Sequence, residues 1–212
     1  MSSIKIYDGA DEAVIAELCA KYGLATDEFA ALRAKAADAK ATAYCPYSQF
    51  RVGASLLAVD EAGERTWVSG ANIENVSYPV GTCAERVALG TAITSMVRKF
   101  RAIGVATDVE SPTSPCGMCR QFIREFCGTD MPVFMFNKAG NFAVLKVIEV
   151  CCIPGLAAFH ILSGSPWLIL PRNTSSCPYR SGPTACRALK SSSRAGRLRA
   201  RRVSREDAIG RG

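Results

Sequence analysis

Two short runs, Gly81-Thr82-Cys83-Ala84-Glu85-Arg86 and Pro115-Cys116-Gly117-Met118-Cys119-Arg120, hold the side chains of this chain best suited to chemistry. Thiolates at positions 83, 116 and 119 can bind one zinc ion and leave its fourth tetrahedral position to water, which is the mark of a catalytic site rather than a structural one. Glu85 is not needed as a ligand and stands where it could take a proton from that water and hand it on. A Cys-x-Glu run followed by Pro-Cys-x-x-Cys is the pattern of zinc-dependent hydrolytic deamination, with three cysteines as a permitted variant. A Cys-x-x-Cys pair alone also reads as a redox pair. Its coupling to Cys-x-Glu at a second helix start favours the metal.

The elements that must position these groups follow from local pattern. Cys83 and Glu85 fall in the first turn of a helix expected over about 82–99, and Cys116 and Cys119 at the entry to another over about 117–126. Helix N-termini favour thiolate over thiol. Gly117 permits the tight turn between the paired cysteines. Three thiolates on a dication leave a net negative cluster, which works against acidifying water. Arg86, three residues after Cys83 and so on the same helical face, could donate to ligand sulfur. Arg120 reads either as a second such donor or as a surface arginine. Asn72 and Glu74 end a strand two residues apart, so an amide and a carboxylate share one side, suited to a sugar hydroxyl.

Upstream, apolar spacing predicts a short helix ending near Gly23, then a helix capped by Asp27 and running to about residue 41, before Pro46. Residues 50–59 form an almost wholly apolar strand, and a turn at 60–63 returns into a second strand over 66–73. Strands follow at 101–107, 132–137 and 142–147. A hairpin followed by alternating helix and strand argues an α/β fold, a mixed sheet covered by helices.

Charge divides the 212 residues. Residues 1–150 carry 15 Lys and Arg against 17 Asp and Glu, whereas residues 151–212 carry 11 against 2, so the net charge of +7 belongs to the tail. Of ten cysteines, six precede residue 150 and four follow it, and His160, the single histidine, lies in the tail. Acidic residues at 8, 11 and 12 interrupt any apolar leader, so no signal peptide is expected and the cysteines read as ligands before disulfides. Residues 150–170 are apolar but broken by Pro154, Gly155, His160, Gly164 and Pro166, which argues against a membrane span. From 171 onward Ser, Arg, Gly and Pro predict disorder.

Four blocks, Tyr44-Cys45-Pro46-Tyr47-Ser48-Gln49-Phe50-Arg51-Val52-Gly53-Ala54, Asn72-Ile73-Glu74-Asn75, Thr82-Cys83-Ala84-Glu85-Arg86 and Pro115-Cys116-Gly117-Met118-Cys119-Arg120-Gln121, closely resemble the small homotetrameric zinc-dependent cytidine deaminases in order and spacing. The resemblance covers about residues 27–147. It implies a three-layer α/β/α sandwich around a five-stranded mixed sheet, one Zn2+ per subunit, and conversion of cytidine or deoxycytidine to the uracil nucleoside. Carried over, Cys83, Cys116 and Cys119 match the metal ligands and Glu85 the proton shuttle. Asn72 and Glu74 match the positions that hold the ribose 3′-hydroxyl. Phe50 matches the ring against the base, the Ala84 backbone a pyrimidine contact, and Tyr78 a side chain that reaches a neighbouring subunit. The implied setting is pyrimidine salvage in the cytoplasm, by a homotetramer acting on a free nucleoside.

The expected organisation is an N-terminal extension over 1–24, a catalytic domain over 25–149 and a tail over 150–212 that departs from the family after Glu149. A frameshift, retained intron or spliced end would make such a junction, and loss of the family's closing helix would expose apolar surface. Three rival readings share the motifs. A polynucleotide deaminase conflicts with the acidic core, and a nucleoside-antibiotic deaminase with the Asn72–Asn75 block. An inactive paralogue would use Arg194–Arg205 to bind nucleic acid or to enter the nucleus.

Overall fold

The computed structural model describes residues 4–60 and 62–152, the side chain of residue 152 excepted. The expectations for the tail beyond residue 152, including its disorder and its basic run, lie outside the described residues.

The first helix, α1 (Glu12–Tyr22), starts where the Asp11 carboxylate accepts from the backbone N–H groups of Ala13 and Val14, and it stops at Gly23 in the left-handed region. Helix α2 (Thr26–Ala39) begins two residues earlier than a helix capped by Asp27 would. Its N-cap is Ala25, whose N–H donates to the Glu28 carboxylate at 2.9 Å, while Asp27 sits in the first turn and pairs with Arg65. Glu28 is buried, and Arg101 reaches it at 2.6 Å while also donating to the Gly23 carbonyl. One buried carboxylate thus ties the link between the first two helices to the sheet.

Strand β1 (Val52–Val59) is buried through its middle, and its alternation feeds two cores. Ala54 and Leu56 enter one cluster, Leu57 the other. It pairs antiparallel with β2 (Arg65–Ala71), as a hairpin requires, and antiparallel with β3 (Lys99–Thr107). Strand β4 (Pro132–Phe136) runs parallel to β3, and β5 (Phe142–Lys146) antiparallel to β4. The sheet order is β2-β1-β3-β4-β5, the five-stranded mixed sheet expected. Helices α3 (Ala84–Thr94) and α4 (Gly117–Phe126) contribute to one core, whereas α1 and α2 contribute to the other, giving three layers.

The differences from the expected bounds have local causes. Helix α3 is shorter than 82–99, because Cys83 is its N-cap and Ser95 its C-cap, with Met96 turning out at φ 64. A six-residue, mostly apolar run after β5 also folds: α5 (Val147–Cys152) buries Val147 and Val150 in the α3/α4 core. The sequence pattern ends a strand at 147 and assigns residues from 150 onward to the tail, because family likeness ends after Glu149, so this helix was not expected. The first residues also enter the body of the fold. Tyr7 exchanges backbone hydrogen bonds with Phe142, and Leu18, Cys19 and Leu24 are buried. Among the described residues no helix is long and apolar enough to cross a membrane.

Close approach of α3 to β2 depends on Gly70, where a Cβ would lie 2.5 Å from the Ala88 nitrogen and 2.9 Å from the Ala84 oxygen. Gly70→Ala is therefore expected to cost about 1–3 kcal/mol by overpacking. Gly90→Ala, on the same helix with open space at its Cβ, is expected to gain up to about 1 kcal/mol. Urea midpoints of the two variants check both signs.

Candidate metal centre

The three cysteines converge. Their sulfurs all lie within 4.8 Å of one another, and the Cys83 and Cys116 sulfurs are 3.7 Å apart. A tetrahedral zinc with Zn–S bonds of about 2.3 Å places its sulfurs about 3.8 Å apart, so the donor set fits that ion. The separation is far beyond a disulfide bond, and all three are free thiols. Cys19 and Cys127 are buried in the two cores and take no part in this cluster.

Helix ends deliver the sulfurs. Cys83 is the N-cap of α3 and Cys116 the N-cap of α4, with Cys119 one turn inward and fully buried. Three sulfurs this close compete for protons. Hydrogen bonds from Cys119 and Cys83, with the Cys119 and Met118 backbone N–H groups, hold the Cys116 thiol down at about 2. Hydrogen bonding to Cys116 pushes Cys83 up to about 11 and Cys119 upward as well. One thiolate stabilised by two thiols is what the metal-free site prefers; a dication would take all three as thiolates.

Glu85 sits in the first turn of α3 with only 4% of its surface exposed. Burial pushes its carboxyl from 4.5 up to about 7, and the Cys116 thiolate adds to the rise, while hydrogen bonds from its own backbone and from Cys119 oppose it. A carboxyl within reach of the cluster and poised near neutrality is suited to carrying protons.

Arg86 donates to the Gly81 carbonyl at 3.0 Å and toward the Cys83 sulfur at 3.9 Å, the role helical phase predicts. Arg120 does not follow either sequence expectation. It is 8% exposed, and its guanidinium donates to the Pro115 carbonyl and the Ser114 hydroxyl, shaping the turn that presents Cys116. Helical phase favours Arg86 as the sulfur donor, but no spacing rule marks an arginine that braces a loop.

The expected sugar-binding pair is also engaged within the chain. The Asn72 side chain accepts from the Val52 N–H and donates to the Phe50 carbonyl, both at 2.8 Å. Glu74 accepts from the N–H groups of Tyr47 and Ser48 and from the Ser48 hydroxyl. Those bonds outweigh burial and hold its carboxyl below the usual range. Ile73 between them bridges to Tyr44 on one side and Thr82 on the other, so one strip joins the loop of Phe50 to the residue before Cys83. Ser48 was missed from sequence, where a lone serine carries no signal. Ala84 is fully buried at the head of α3, Phe50 is half-buried, and Tyr78 is 88% exposed on a 3-10 turn, Tyr78–Val80.

Comparison with known proteins agrees with this geometry. Residues 26–135 match the family model described as the cytidine and deoxycytidylate deaminase zinc-binding region, a span that holds Glu85 and all three cysteines. The chain is 45% identical over 132 residues to a cytidine deaminase of Sporosarcina psychrophila, covering 62% of this chain and 93% of that protein. It is 43% identical over 121 residues to a cytidine deaminase of Halalkalibacterium halodurans, covering 57% and 87%. The crystal structure of cytidine deaminase from Burkholderia pseudomallei superposes with a TM-score of 0.53 at 36% identity, covering 57% of this chain and 94% of that one.

Two outcomes are expected here. Cys119→Ser should purify without zinc, read by metal content per chain. In the metal-free protein, Glu85 should contribute stability that is present below about pH 4.5 and lost as pH rises to about 7, on the order of 3 kcal/mol across that window. The Cys116 thiolate contributes with the opposite sign, so the readout is the difference in unfolding free energy between wild type and Glu85→Gln.

Proposed function

This chain belongs to the cytidine and deoxycytidylate deaminase zinc-binding family, and we propose that it hydrolyses free cytidine or deoxycytidine to the uracil nucleoside with release of ammonia. The observation that carries the proposal is a buried glutamic acid beside three convergent thiols. Cys83, Cys116 and Cys119 would hold the zinc, which when bound supplies Lewis-acid activation of water at neutral pH.

The chain's own residues account for the proton traffic. Water adds to C4 of the pyrimidine as Glu85 takes one of its protons and delivers it to N3. The second proton passes through Glu85 to the exocyclic nitrogen, the C4–N bond breaks, and ammonia leaves a C4 carbonyl behind. A carboxyl titrating near 7 can both accept and donate in these steps. Arg86 withdraws negative charge from the Cys83 sulfur, offsetting the excess of three thiolates over one dication.

Substrate recognition is assigned to the strip that joins the Phe50 loop to Thr82, the residue before Cys83. Phe50 packs against the base and the Ala84 backbone contacts the pyrimidine edge. Glu74 retains acceptor capacity for a ribose hydroxyl beyond its three internal bonds, and the Asn72 amide retains one N–H and one lone pair beyond the two bonds it makes to the loop. Both side chains therefore shape the loop and keep capacity to hold a ribose hydroxyl. The setting is cytoplasmic pyrimidine salvage.

The assembled form is a homo-oligomer, on the family pattern a tetramer. Supporting this, Val76, Tyr78 and Val80 are exposed, and an open groove of about 540 Å³ runs along α4, lined by Gly117, Met118, Gln121, Phe122, Glu125 and Phe126. The organisation read from sequence stands as part of the proposal, with catalytic residues confined to 25–149 and a tail outside the chemistry.

The test is the ultraviolet absorbance change of cytidine mixed with the full-length chain. Wild type should turn over, and Glu85→Gln should lose about 10²–10⁴-fold in kcat while keeping one zinc per chain. Phe126→Asp should lower the mass seen by light scattering if α4 packs against a second copy.

A further inference from the structure

The geometry points to Asp108 as a positioning residue that holds the Phe50 loop in register with the metal centre. The inference rests on the proposal that Phe50 packs against the base.

Asp108 is the first residue after β3, and the pairing of Val52 with Thr107 brings it beside Arg51 at the start of β1. Its two carboxylate oxygens serve two different segments. One accepts from the Lys40 ammonium at 2.9 Å, at the C-terminal end of α2. The other accepts from Arg51 Nε at 2.9 Å, in the residue that follows Phe50. Lys40 and Asp108 are partly shielded, with side-chain exposures of 16% and 30%, so their pairing is screened less than an ordinary surface ion pair. Burial pushes the Asp108 carboxyl up, but Lys40 and Arg51 together hold it below the usual range, so it is ionised at neutral pH.

The base on which Asp108 stands is itself fixed. The next residue, Val109, accepts from the Lys138 N–H, and Glu110 accepts from the Asn137 amide, both just past the end of β4. The same segment runs on to Pro115 and Cys116. The loop it grips needs holding, because Gln49, directly before Phe50, has a φ of 55° that a residue with a side chain adopts only under constraint. Asn72 and Glu74 hold this loop from the α3 side. Asp108 holds its other end, and so fixes Phe50 relative to the strand from which the Cys116 turn departs. Two cations converge on this carboxylate, and an asparagine could satisfy only one of them while turning N–H groups toward the other.

Steady-state kinetics on the full-length, zinc-loaded chain test the inference. Asp108→Asn should raise KM for cytidine about tenfold, with kcat within about threefold of wild type and one zinc per chain, and Asp108→Glu should recover part of the loss. Arg51→Gln removes the same ion pair from a side chain that is 54% exposed, and should raise KM without disturbing β3. The double variant should be no worse than Asp108→Asn alone, because that change already removes the ion pair that Arg51 makes. Unchanged KM in both single variants, additive losses, or a fall in zinc and kcat at constant KM would each overturn the assignment. Phe50→Ala separates the two readings. A raised KM there, with none in Asp108→Asn, removes only the role of Asp108, whereas no rise with Phe50→Ala removes the base site and this inference with it.

Discussion

Three sulfurs and a carboxyl are confined at the heads of two helices, and no metal-free arrangement lets all of them carry charge together. The protons left on Cys83 and Cys119, and the protonation of buried Glu85 up to near neutrality, are the consequence. A dication bound by all three sulfurs would resolve the conflict there. The chemistry thus grows out of an electrostatic incompatibility that the fold imposes.

The fold imposes it through topology. Strand β2 leads by way of Ile73 and Thr82 into the cap of α3, and β3 leads through the 108–115 segment into the cap of α4. Because α3 and α4 share one core against the same face of the sheet, their N-termini meet beyond the strand ends. Backbone N–H groups there lower the cost of a thiolate, and Gly70 lets α3 settle close enough to bring Cys83 into contact with Cys116. Arg120 completes the arrangement from inside by gripping the turn before Cys116.

Much of this was legible in residue types and spacing. Helix α4 has the bounds its pattern predicted, the sheet has the expected composition, and the three cysteines meet as their helix-start positions required. What was not legible is where polar side chains direct their bonds. Arg120 and Arg86 each lie close in sequence to a ligand cysteine, yet one braces a turn and the other faces sulfur. Asn72 and Glu74 share a side as period-two alternation demands, but alternation cannot say that a backbone loop folds back to take their bonds first. The Asp27 cap failed for a related reason: Glu28, one residue on, reaches the Ala25 N–H and is itself fixed by Arg101 from a distant strand.

The way Asn72 and Glu74 clasp the 44–52 backbone bears on molecular recognition as well as on folding. A loop in which the Tyr47, Ser48 and Val52 N–H groups and the Phe50 C=O are already bonded loses less freedom when a ligand arrives, so more of the entropic penalty of association falls on the ligand. Under the proposed reading such a surface would discriminate by rigidity: a nucleoside whose sugar pucker or base tilt mismatched the standing contour could not recruit compensating movement. Selectivity of this kind resides in main-chain shape, and it survives surface substitutions that leave the clasp intact.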